Sequence, residues 1–191
     1  MKSDFITIVS GLPRSGTSLM MQMLAAGGIP PLTDNLRPAD ESNPRGYFEF
    51  EAVKRLRSDR SWLDQARGHA VKIIHALVRE LPVDGQFHYR LVLMKRPIEE
   101  ILASQRAMLE REGKTSADEA TLAKIFRAQL DQLEKWLAEQ PAFSFLAVDY
   151  HRLLKEPLAV AREVNAFLQQ NLNLEAMAAV VDPALYHQRI A

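Results

Sequence analysis

Ile6-Thr7-Ile8-Val9-Ser10-Gly11-Leu12-Pro13-Arg14-Ser15-Gly16-Thr17-Ser18 passes from an apolar, β-branched run through a bend holding two glycines into a segment of helical character. A short apolar run closed by a turn reads as a buried strand. Gly11 and Gly16 permit the tight bend. The N–H groups of Ser15, Gly16, Thr17 and Ser18 then converge where a helix starts, and the helix dipole favours an anion there. The stretch therefore predicts a loop that grips phosphate or sulfate, because a strand precedes it and a helix follows.

The same alternation continues along the chain. Runs rich in Val, Ile, Leu and Phe at 5–10, 70–74, 91–94 and 143–148 predict four strands. Segments with helical periodicity or propensity follow at 17–26, 76–81, 97–112 and 153–170, and two more are expected at 48–66 and 116–140. The last carries Leu122, Ile125, Phe126, Leu130, Leu133 and Leu137 on one stripe. A β-α-β-α order implies a parallel sheet covered on both faces. The expected fold class is α/β, three layers with a central, mostly parallel sheet of four or five strands flanked by helices. Residues 27–47 interrupt the pattern, with Pro30, Pro31, Pro38 and Pro44 spaced so that no regular helix fits. So long an irregular stretch in a compact unit reads as an active-site lid.

At 191 residues, 47% of them hydrophobic and 25% charged, the chain suits one globular domain over 1–191. Lys plus Arg and Asp plus Glu both number 24, so no overall charge draws it to nucleic acid or an acidic membrane, and any anion site is local. The absence of cysteine excludes a disulfide framework and a thiolate nucleophile, and it fits a reducing compartment, with cytoplasm the default. The start MKSDFITIVSG is not that of a signal peptide, and no window reaches the ~18 apolar residues of a membrane span. No nucleic acid and no membrane span are expected as partners, and the oligomeric state is open.

The kinase and NTPase form of such a loop is G-x-x-x-x-G-K-[ST], in which Lys follows the second glycine. Here Thr17 holds that position and the cation lies inside the bend as Arg14. Pro13-Arg14-Ser15-Gly16-Thr17-Ser18 resembles the sulfotransferase family, whose loop reads P-[KR]-S-G-T-[ST] and grips the 5′-phosphosulfate of 3′-phosphoadenosine 5′-phosphosulfate (PAPS) within a P-loop-like fold. Arginine at this place is similar to the protein-tyrosine and several bacterial branches. The resemblance implies that Arg14, Ser15, Gly16, Thr17 and Ser18 bind the donor, with no metal required.

The third predicted strand ends in Lys95-Arg96-Pro97, and Ser104 follows two helical turns on. Arg96 and Ser104 resemble the family's 3′-phosphate motif, although that motif more often reads Arg-x-Pro. Val148-Asp149-Tyr150-His151 through Pro157 is similar to the family's Tyr-Glu-x-Leu…Pro segment, with Tyr150 beside the adenine and His151 where Glu is common. No Arg-Lys-Gly-rich motif follows, so the adenine and 3′-phosphate contacts are expected either to be reduced or to be supplied by Arg189.

Sulfuryl transfer moves a charged group in line, so alignment and cations carry the catalysis. Arg14 is one such cation. Lys72, inside Val71-Lys72-Ile73-Ile74-His75, resembles the family's strand lysine. The acceptor's proton needs a base. His75 is the first candidate, three residues after Lys72 where the cytosolic enzymes place a histidine two after. The protein-tyrosine branch takes a glutamate from the segment after the first helix, which adds Asp40, Glu41 and Glu49. Two rivals stand beside sulfuryl transfer to a hydroxyl or amine. A P-loop small-molecule kinase or NTPase would use Asp149 for magnesium, and a non-catalytic module would keep only the anion loop.

Overall fold

A computed structural model describes residues 4–34, 36, 46–111, 113–114 and 118–182. Pro38, Asp40, Glu41 and Pro44 of the expected lid lie outside these residues, as does Arg189. Four strands, β1 (Phe5–Gly11), β2 (Ala70–Lys72), β3 (His88–Lys95) and β4 (Phe143–Asp149), stand in the order β2-β1-β3-β4 with every pairing parallel. The helices are α1 (Thr17–Gly27), α2 (Ile98–Arg111), α3 (Glu119–Glu139), α4 (Tyr150–Lys155), α5 (Pro157–Leu168) and α6 (Leu174–Ala179). All four expected strands form. β3 begins ahead of its apolar run because His88, Tyr89 and Arg90 pair with Phe5, Ile6 and Thr7 of β1.

Alternation along the strands builds two cores. Ile6, Ile8, Val71, Ile73, Leu91 and Leu93 face one side, where Leu133 and Leu137 of α3 cover them. Val9, Ala70, Val92 and Met94 face the other, against Met20, Met21 and Leu24 of α1 and Val160, Val164 and Leu168 of α5. Each Val, Leu, Ile or Met side chain so taken from water contributes about 1.5–3 kcal/mol, which is why the central strand is apolar on both faces. A third cluster joins Leu12 of the bend to Ile98, Ile101 and Leu102 of α2, with Leu122, Phe126 and Leu130 of α3 behind them. That cluster seats α2 directly beside the loop after β1.

Three expected helices come out differently. Residues 48–66 hold only a 3-10 turn at Glu51–Arg55 followed by irregular turns. The Asp59 carboxylate there accepts from both the N–H and the hydroxyl of Ser61, at 3.0 and 2.7 Å, and this local side-chain bond competes with helix. Residues 75–80 form a single 3-10 helix. The expected helix over 153–170 is broken at Glu156, which is pushed to φ −131° and ψ 55° by the following Pro157, so α4 ends and α5 starts with proline in its first turn. Among the described residues, no helix is long and apolar enough to cross a membrane.

Candidate functional site

The carboxyl ends of the four strands share one edge of the sheet, where ligands bind in open α/β folds. β1 delivers Gly11 to that edge, and the Ser15 N–H closes the bend on the Leu12 carbonyl at 3.2 Å. A Cβ on Gly11 would stand 2.5 Å from Ser15 Oγ and 2.8 Å from the Met94 carbonyl, so only glycine lets the bend lie this close to β3. Gly16 caps α1 at φ +97° and supplies no side-chain bond to the helix start. The first N–H groups of a helix have no carbonyl one turn back, and in an 11-residue helix the dipole adds to their pull on an anion. Ser15 Oγ is buried at this bend, and Ser10 Oγ in β1 just before it, each with no hydrogen-bond partner among the described residues. The donor set therefore fits an oxyanion.

Arg14 occupies the left-handed region at φ +70°, which costs a residue with a Cβ about 1–2 kcal/mol. Its side chain and its carbonyl are both engaged. Its Nε donates to Ser104 Oγ at 3.0 Å, and its carbonyl accepts from Arg96 Nη1 at 3.1 Å. The phosphate loop and the second anchor, 82 to 90 residues apart in the chain, are thus one contiguous structure. Pro97 precedes α2 and its carbonyl accepts from the N–H groups of Glu100 and Ile101, which starts the helix so that Ser104 is buried against the bend.

The Arg96 guanidinium lies 4.8 Å over the Tyr150 ring, and its Nε donates to Glu100 Oε2 at 2.9 Å. Glu100 Oε1 meets His151 Nε2 at 2.9 Å. Burial pushes the Tyr150 phenol above its ordinary range, against the opposing pull of Arg96. The ring packs on the phosphate loop itself, since a Cβ on Gly16 would stand 2.5 Å from it.

Lys72 ends β2 opposite Val9, and its Nζ donates to Ser18 Oγ of α1 at 3.2 Å and to the Tyr47 carbonyl at 2.8 Å. The ammonium thus stands at the first turn of α1. His75 does not join it. Ala70 and Lys72 face α1, Val71 and Ile73 face α3, and the odd spacing carries His75 to the α3 side, where Nε2 meets Gln129 Oε1 at 2.9 Å. Its Nδ1 is buried without a partner among the described residues. Glu49 follows Tyr47 by two residues, and its carbonyl accepts from Thr33 Oγ1 at 2.8 Å, which ties that segment beside Lys72. Asp149, the magnesium ligand of a kinase reading, caps α4 by accepting from the Arg152 N–H at 2.7 Å.

Sequence reasoning missed Glu100, Tyr47 and Gln129. Glu100 was within reach: it lies four residues from Arg96 and four from Ser104, so helical spacing puts it on the face that looks at the loop.

No protein-family profile and no curated protein matches the chain. Solved structures do. A sulfotransferase domain from the olefin synthase of Synechococcus PCC 7002 superposes with a TM-score of 0.59 at 17% identity, covering 97% of this chain and 84% of that one. The fold is that of a sulfotransferase domain. STF1, a sulfotransferase from Mycobacterium tuberculosis, matches at 0.57 and 16% identity over 96% of this chain and 73% of its own. A sulfotransferase domain from the curacin biosynthetic pathway gives 0.51 and 14%, over 89% and 75%. The sulfotransferase fold, with its parallel sheet and flanking helices, is the α/β architecture expected from the strand pattern.

Proposed function

We propose that this chain transfers a sulfuryl group from PAPS to a hydroxyl or amine of an acceptor. The observation that carries the reading is the union of two anion anchors through Arg14, whose side chain meets Ser104 and whose carbonyl meets Arg96, in a loop with Thr17 where a triphosphate-binding loop has lysine. The sulfotransferase fold supports it.

The donor, when bound, supplies an activated sulfur whose bond to the 5′-phosphate breaks as the acceptor oxygen or nitrogen bonds to it. The loop from Ser15 to Ser18 and Arg14 would hold the phosphosulfate, and Arg96 and Ser104 the second phosphate. Tyr150 would flank the nucleotide. Lys72 would neutralise charge developing on the leaving oxygen. No step in this scheme calls on a metal. A cytoplasmic setting agrees with the cysteine-free composition.

Isothermal titration tests the reading. Without metal, 3′-phosphoadenosine 5′-phosphate (PAP) is expected to bind at least ~10-fold more tightly than ATP with magnesium, a difference of about 1.4 kcal/mol. Preference for ATP would transfer the site to a kinase, and silence with both would leave a non-catalytic module.

Two side chains compete for the role of base. Because Glu49 belongs to the segment that meets Lys72 while His75 lies across the sheet, Glu49→Gln is expected to lower turnover about a hundredfold with PAP binding retained. The same loss in His75→Gln instead would assign the proton to His75.

A further inference from the structure

We propose that Glu100 is a positioning residue of the phosphate loop: its buried carboxylate fixes the Arg96 guanidinium so that Nη1 reaches the Arg14 carbonyl, and His151 steadies the other carboxylate oxygen. The consequence for nucleotide binding rests on the sulfotransferase reading. The clamp itself does not.

A carboxylate with 1% of its side chain exposed is out of place beside an anion site, since it repels the ligand and loses its own hydration. Its neighbour explains it. The Arg96 side chain is 7% exposed and lies 4.8 Å over the Tyr150 ring, so without a counter-charge its guanidinium would be a desolvated cation. Glu100 Oε2 accepts from Arg96 Nε, and that bond sets the plane of the whole guanidinium fork. With the plane set, Nη1 is aimed at the Arg14 carbonyl 3.1 Å away.

That carbonyl is the sensitive point. Arg14 holds a left-handed backbone between Pro13 and Ser15, and the direction of its peptide decides where the next N–H groups point. His151 Nε2 stands 2.9 Å from Oε1, and an ionised carboxylate accepts a hydrogen bond there when the ring hydrogen is on Nε2. The positioning chain therefore runs from His151 through Glu100 and Arg96 to the Arg14 peptide. The His151 side chain is 36% exposed, which makes it the member that can be altered without opening the core.

The test compares Glu100→Gln, His151→Leu and His151→Gln with the wild type in the full chain. Amide hydrogen exchange of Ser15 and Met20, whose N–H groups bond the Leu12 and Gly16 carbonyls, is followed by NMR without ligand, and PAP affinity by titration. Glutamine at 100 keeps the shape but puts an NH2 group against one of two donors. Loop exchange is expected to accelerate about tenfold, while the β1 amides of Ile6–Val9 stay protected. PAP should bind about tenfold more weakly. His151→Leu is expected to loosen the loop several-fold. His151→Gln, which restores a donor, should return it to the wild-type rate. Should Glu100→Gln fail to fold, the two His151 variants decide. Unchanged loop exchange in Glu100→Gln, equal acceleration of loop and core, or identical behaviour of the two His151 variants overturns the proposal. A wild type that ignores PAP but shows the exchange contrast keeps the clamp and removes the sulfotransferase reading.

Discussion

Replacing Lys72 by methionine is expected to lower sulfuryl transfer by about 10²–10³-fold while PAP affinity changes by less than about tenfold. The rate would be read with whichever acceptor a donor screen yields, or as release of sulfate from PAPS to water. Methionine keeps the length and apolar stem, so packing against Tyr47 and α1 is largely preserved and the charge alone is removed. The ammonium reaches Ser18 Oγ in the first turn of α1, the turn whose N–H groups face the expected anion. A cation there gains most when negative charge grows on the leaving oxygen, so its loss falls on turnover more than on ground-state binding. Equal losses in turnover and in PAP affinity would make Lys72 a binding residue. An unchanged rate would remove it from the site.

What could be read from the sequence depended on how far apart the interacting residues lie. The bend after β1 is a local signal, since a β-branched run, two glycines and a helix are adjacent in the chain, and the backbone at Gly11, Arg14 and Gly16 bears it out. Arg96 and Ser104 were legible as a helical spacing. Their joint hold on Arg14 was not, because nothing in residues 5–18 names a partner more than 80 positions away. The separation of Lys72 from His75 was legible in principle: three residues along an extended chain reverse the face, whereas two would keep it. Residues 48–66 defeated the helical reading for a physical reason. The window reads as helical, but the Asp59 carboxylate bonds Ser61 locally, an arrangement that competes with the helical backbone ladder. Glu100 escaped notice because a charged residue on a helix is ordinarily solvated. Here the carboxylate is buried and paired with the buried Arg96.

Gly16→Ala is expected to lower the thermal midpoint by on the order of 10 °C and to abolish PAP binding, because two costs meet at one atom. The left-handed backbone at φ +97° costs alanine about 1–2 kcal/mol by itself. The new Cβ would also stand 2.5 and 2.7 Å from two carbons of the Tyr150 ring, and forcing apart a packed contact adds about 1–3 kcal/mol. The ring cannot simply retreat, since Arg96 covers it at 4.8 Å and its residue is buried at the start of α4. The two costs are separable by a double-mutant cycle with Tyr150→Ala. In that background the added methyl meets no ring, so Gly16→Ala should cost only the backbone part, leaving a coupling of about 1–3 kcal/mol. Additive losses would show that Tyr150 does not press on the loop, and the tyrosine would then have no structural claim on the nucleotide side of the sheet. Strong coupling would instead tie the end of β4 to the bend after β1, so that the two outer motifs of the chain share a single boundary of the anion pocket.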